Sequence, residues 1–101
     1  MATIGTFTTK DGKIVGKVRT LTLDAPLAFL PNENREAADA PAYRIFCGKT
    51  EVGAAWAKTS DRTGRDYFSV RLDDPSLPAP IYASLIAQDD GSHALIWSRR
   101  D

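Results

Sequence analysis

No segment of twelve or more residues carries a helical stripe of apolar side chains. Apolar residues instead recur at spacing two in short runs, each closed by Gly, Pro, Asp or Asn. Phe68, Val70 and Leu72 alternate with Tyr67, Ser69 and Arg71, the clearest period-two strand in the chain. Ala2 to Thr8 alternates more loosely and runs into Asp11-Gly12, the dipeptide of a tight hairpin. Lys13 to Leu23 is rich in Val, Ile, Thr and Leu, but its apolar parity changes. A bend at Gly16 or a bulge near Arg19-Thr20 is expected to switch its buried face, as at a barrel corner. Pro26 to Leu30 reads as a short, irregular edge strand.

After Pro41 the runs resume. Tyr43, Ile45 and Cys47 share one face, as do Val52, Ala54 and Trp56 after the turn at Gly48-Lys49-Thr50. Thr59 to Arg65 is a polar hairpin loop. Asp74 to Pro80 holds three prolines, cannot carry a regular ladder and is expected to be a stiff crossover. Ile81, Ala83 and Leu85 form another inward set, Asp89-Asp90-Gly91-Ser92 turns the chain, and Ala94 to Trp97 closes it. Pro31 to Ala40 interleaves polar residues with alanines alone and reads as an exposed loop holding at most one helical turn. The expectation is a mainly β fold with little helix. It is a single domain over residues 1–101, an antiparallel barrel or strongly bent sheet of seven to eight short strands. At 101 residues and 43% hydrophobic, the chain can bury one core without staples.

The chemistry-bearing residues are few. Cys47 is the only cysteine and His93 the only histidine, which leaves no intrachain disulfide and too few ligands for a zinc site. In the run Tyr43 to Cys47 the thiol reads as a small buried hydrophobe, and His93, after Gly91-Ser92, as a solvated residue at a strand start. Asp73-Asp74 and Asp89-Asp90 have the composition of turns rather than of a cation site. Neither a nucleophile–base motif nor a phosphate loop is present, so no catalytic residue, cofactor or metal is expected and the protein reads as a non-enzyme. The start of the chain lacks the pattern of an export signal and no run is long enough to span a membrane; with the lone cysteine, this points to the cytoplasm.

Thirteen basic residues balance thirteen acidic ones, so no global field draws the chain to nucleic acid or lipid. The local pattern is uneven. Lys10 to Arg19 and Arg44 to Arg71 are basic, and two hairpins side by side would merge them into one face. The segment Trp56 to Tyr67 sets an aromatic at each end of a loop with three bases. Trp56, Lys58, Arg62, Arg65, Tyr67 and Arg71 are therefore the candidate contact residues, with single-stranded DNA or RNA as one partner class: aromatic faces stack bases while Lys and Arg track phosphates. The competing reading packs Trp56 into the core and leaves a solvated loop. Phe29, Leu30, Leu77, Tyr82 and Trp97 form a second candidate, an apolar patch for another protein; the alternative is that they cap an open end of the barrel. Opposed acidic and basic segments also suit a twofold or head-to-tail homodimer.

Ile4-Gly5-Thr6-Phe7, Gly16-Lys17-Val18-Arg19-Thr20-Leu21, Gly53-Ala54-Ala55-Trp56, Leu72-Asp73-Asp74-Pro75 and Leu95-Ile96-Trp97 occur in that order. With them, the chain resembles, nearly end to end, the family called domain of unknown function 736, small proteins of proteobacterial plasmids and integrative conjugative elements. The resemblance implies an accessory role in plasmid maintenance, transfer or countering host defence. It carries no catalytic or ligand-binding residue onto any position here. The expected function is a non-enzymatic protein-interaction module, with single-stranded nucleic-acid binding as the alternative.

Overall fold

The computed structural model describes residues 2–33, 40–62 and 64–97. Eight strands follow one another: β1 Ala2–Lys10, β2 Lys13–Arg19, β3 Asp24–Pro31, β4 Tyr43–Cys47, β5 Thr50–Thr59, β6 Asp66–Leu72, β7 Ile81–Ala87 and β8 Ser92–Trp97. Each pairs antiparallel with the next, and β1 pairs with β8, so the sheet closes into an up-and-down barrel with no helix among the described residues. Closure gives every strand a hydrogen-bonded neighbour on each side and leaves no edge strand of the kind an open sheet presents.

Strand parity places alternate side chains in the interior. Phe7, Phe29, Ile45, Leu85 and Leu95 are fully excluded from solvent, with Ile14, Val18, Leu27, Val70 and Leu72 nearly so. Among the described residues no polar or charged residue is buried as a whole. Aromatic rings cross the interior edge to face: Phe7 against Phe29 at 5.3 Å, Phe29 against Tyr43 at 6.5 Å, and Tyr43 against Phe68 at 5.2 Å. Fully burying a side chain such as Phe7 is worth roughly 1.5–3 kcal/mol in solvent transfer alone.

Two bulges increase the curvature. Ile4 opposes no residue of β8, because the register steps from Thr3↔Ile96 to Gly5↔Leu95; both Ile4 and its neighbour can then serve the interior, and Ile4 is buried. Val52 plays the same part on β5, between the pairs Ile45↔Gly53 and Phe46↔Glu51, and packs against the core.

Several local readings are corrected. The long run Lys13 to Leu23 contains no face-switching bulge: β2 ends at Arg19, and the Thr20 hydroxyl accepts the N–H groups of Thr22 and Leu23 to form a turn. Leu21, at the tip, is fully exposed. Pro26 to Leu30 is no edge but the middle of an eight-residue strand paired on both sides. Pro26 is accommodated because the β3–β4 ladder begins only at Ala28. Asp74 to Pro80 joins the neighbours β6 and β7, so it is a long hairpin connection and crosses no strand. On β5 the inward residues are Gly53, Ala55 and Ala57, and Ala54 and Trp56 face outward, so Trp56 is not a core residue and Val52 shares no face with it. In the loop at 31–40, Pro31 ends β3, and Asn32 is tied to Ala42 and Pro41 through its backbone N–H and its Nδ2. The helical turn expected there falls on 34–39, outside the described residues.

Gly53 has no room for a side chain, since a Cβ there would run into the Arg71 carbonyl oxygen and lie 3.1 Å from the Leu72 Cα. Gly53→Ala is therefore expected to lower stability by about 1–3 kcal/mol, read as a fall in the urea midpoint at unchanged slope. At the β7–β8 turn the Asp90 carboxylate accepts the Ser92 hydroxyl at 2.6 Å and its N–H at 3.0 Å, and these bonds hold the carboxyl below its ordinary range. A depressed folded-state value means a contribution present above the unfolded value, ~3.9, and lost as pH falls through the folded one. Ser92→Ala should move the Asp90 carboxyl back toward its usual range in an NMR titration and remove part of that acid-side dependence.

Candidate contact surface

The β5–β6 ribbon determines where the predicted contact residues lie. The register pairs Ala54 with Arg71, Trp56 with Ser69, and Lys58 with Tyr67. The inward partners in the same ladder, Ala55 with Val70 and Ala57 with Phe68, fix the opposite parity. Trp56, Lys58, Tyr67 and Arg71 therefore stand on one outer face, and Arg62 and Arg65 are exposed in the loop that joins the two strands. Trp56 and Tyr67 are diagonal neighbours, roughly 7 Å apart. The loop is shaped by Ser60, whose N–H donates to the Arg65 carbonyl and whose own carbonyl accepts from Gly64; Gly64 takes the left-handed φ of 71° that this return needs.

The outer face continues onto β7 and β8. Arg71 opposes Tyr82, and Ser69 opposes Ser84, which opposes Ile96. Tyr82 is 46% exposed, the most exposed of the large aromatics, while Ile86 and Ile96 are half-buried. Small serines thus separate Trp56 from Ile96 along one row. Acidic groups partly offset the bases: Arg71 lies 3.4 Å from Asp73, and Arg44 forms a two-bond pair with Glu51 at 2.7 and 2.8 Å while lying 5.3 Å over the Phe46 ring. These hydrogen bonds lower the Glu51 carboxyl and raise the Arg44 guanidinium, yet both pairs are solvent-exposed and screened.

The structure does not assemble the second predicted patch. Phe29 points into the barrel and is fully buried, Trp97 packs against the core, and Leu30, one residue from Phe29, takes the opposite face. Leu77 borders a cavity at one end, and only Tyr82 remains exposed. Nor do the two basic stretches merge: β1–β2 and β5–β6 lie on opposite sides of an eight-membered ring.

The two barrel mouths differ. One, beside the β6–β7 connection, holds a cleft of about 280 Å³ lined by Val18, Leu27, Cys47, Leu72 and Leu77 among others. There Asp74 is engaged by the Ser76 hydroxyl and N–H, which hold its carboxyl low. The other opens beneath the β5–β6 and β7–β8 hairpins as a cleft of about 630 Å³. Alanines at 57 and 87 leave this space, and His93 lines it. His93 is thus no solvated strand-start residue: it is partly buried, and its Nδ1 is buried without a hydrogen-bond partner among the described residues. The turn residues Asp89 to Ser92 conceal this placement, because parity from Leu95 reaches His93 only once β8 is known to begin at Ser92. Cys47 behaves as expected, half-buried against the core. The described residues contain no group of three or more His, Cys, Asp or Glu placed to hold a metal, and no helix long and apolar enough to cross a membrane.

A closed, filled, up-and-down β-barrel with an aromatic and basic outer ribbon is the scaffold these residues define. The family model described as "Protein of unknown function (DUF736)" matches residues 3–100, and the chain belongs to that family. No curated protein and no solved structure matches it.

The local field at Trp56 is measurable. With Trp97→Phe leaving Trp56 as the sole tryptophan, iodide should quench its fluorescence more efficiently than caesium at equal ionic strength, because Lys58 and Arg71 flank it. Lys58→Glu together with Arg71→Glu should reverse that order.

Proposed function

We propose that this protein is a non-enzymatic interaction module whose contact surface is the outer face of β5 to β8, and that its partner is a protein presenting an acidic rim. The observation that carries this reading is the placement of Trp56, Tyr82, Ile86 and Ile96 on one outer face with Lys58, Arg62, Arg65 and Arg71 around it. An aromatic and aliphatic centre with a charged periphery is the anatomy of a protein interface. Closure supports the same reading from another side: without a free strand edge, a partner cannot be captured by strand addition and must be recognised by side chains. Cys47 and His93 line opposite mouths of the barrel, so they do not form a nucleophile–base pair. An accessory role on a mobile element, in the cytoplasm, acting on a host or element-encoded protein, fits such a module.

A second reading, single-stranded nucleic acid on the same ribbon, is favoured by one specific feature. The Lys58–Tyr67 cross-strand pair, Trp56 on the diagonal and two loop arginines place stacking surfaces beside phosphate-binding bases.

Trp56→p-benzoylphenylalanine in the native host tests both. Photocrosslinking is expected to give a discrete protein adduct that disappears with Arg71→Glu. The same adduct from Lys17 on β2, on the opposite side of the barrel, would refute the assignment of the face. Saturable binding of labelled oligonucleotides at ~50 mM salt, with a log–log salt slope of roughly −3 from four bases, would instead establish the nucleic-acid reading.

A further inference from the structure

The mouth beneath the β5–β6 and β7–β8 hairpins carries chemistry that the outer face does not use. Its cleft of about 630 Å³ is in the range of small-molecule sites, roughly 300–1,000 Å³. Phe68, above the fully buried Leu85, supplies an apolar floor, and Thr59, Asp66 and His93 supply the polar groups, with Thr59 and Asp66 exposed at the rim. All five belong to the inward-facing sets of their strands: Thr59 pairs with Asp66, Phe68 with Leu85, and Ala87 with His93.

Asp66 is oriented rather than loose. One of its oxygens, Oδ1, accepts the Thr59 hydroxyl at 2.8 Å, leaving the other carboxylate oxygen as an acceptor at the mouth. The His93 Nδ1 is sealed off without a partner, so Nε2 is the nitrogen through which the ring can meet an occupant. Lys58 and Tyr67 also border the cleft, but strand alternation turns their side chains to the outer face. Arg62 and Arg65 sit in the loop above it and would draw an anion. Asp66 is the carboxylate that the sheet itself directs inward.

We propose that this mouth binds a small amphipathic cation, with its apolar body on Phe68 and the alanines at 57 and 87 and its ammonium group against Asp66. An ionised acceptor above a greasy floor discriminates by charge at the head and by shape at the tail. The proposal is independent of the outer face, which lies on the other side of the same strands.

The test is an NMR titration of the isotopically labelled full chain with 2-phenylethylammonium, with 3-phenylpropanoate as the anionic counterpart. The expected result is saturable shifts at Thr59, Asp66 and the His93 ring with the amine and none with the carboxylate. Asp66→Asn, which keeps an acceptor for Thr59, should weaken the amine at least about tenfold, since a charge-assisted bond becomes a neutral one. Ala87→Leu, which fills the cleft and leaves the charge in place, should abolish binding, and Leu77→Ser at the opposite mouth should not affect it. The proposal fails if the carboxylate binds as well as the amine, if Asp66→Asn or Ala87→Leu binds the amine like wild type, or if shifts map elsewhere. It also fails if nothing saturates by roughly 10 mM, the affinity floor for a fragment of that size.

Discussion

Phe7 reaches the middle of the barrel because two glycines stand where side chains would block it. A Cβ at Gly5 would lie 2.8 Å from the Phe7 ring; one at Gly16 would lie 2.7 Å from the ring and would also meet the Thr6 carbonyl oxygen. The ring therefore rests on bare backbone of its own strand and of β2, with the edge of Phe29 at 5.3 Å. From that contact the aromatic line runs on through Tyr43 to Phe68, across the sheet to the far wall. There the inward positions of β5 are Gly53, Ala55 and Ala57. Bulk enters from one side and is received by small residues on the other, which is how a barrel of eight short strands fills its interior.

The same exchange of large for small explains what could be read in advance. The strands of β6 and β7 were legible, since Phe68, Val70, Leu72 and Ile81, Ala83, Leu85 alternate with more polar neighbours. On β5 the rule misleads: hydrophobicity assigns Trp56 to the core and Ala55 to nothing in particular, whereas the interior takes the alanine and the tryptophan stands outside. Thr20 to Leu23 has the composition of a strand and becomes a turn because the Thr20 hydroxyl substitutes for ladder bonds. His93 escapes sequence reading for a related reason: it takes Leu95's inward parity only because β8 extends back to Ser92, past where the turn residues Asp89 to Ser92 point to an end of the strand.

Of the contact surface, the residue types, their place in one hairpin and the alternation of Tyr67 and Arg71 against Phe68 and Leu72 were legible; that Trp56 and Lys58 share the same outer face comes from the β5–β6 register. The composition of its surroundings was not. Ile96 joins that face only through the β7–β8 and β1–β8 pairings, and long-range pairing leaves no mark in local periodicity. The expected merger of the two basic stretches failed on the same ground. Number of strands and closure, rather than sequence proximity, decide that they face away from each other.

Seven of the ladders join strands that are consecutive in the chain, and one joins its two ends, with Ala2 opposite Trp97. Each consecutive hairpin can zip with little loss of loop entropy, whereas the seam must bring together residues almost the full length of the chain apart. By loop-closure entropy alone, the seam is the costliest ladder to form and the last to close. Until β1 meets β8 the sheet carries two naked edges, so the seam governs both the speed of maturation and the interval in which two unfinished copies can stitch to each other.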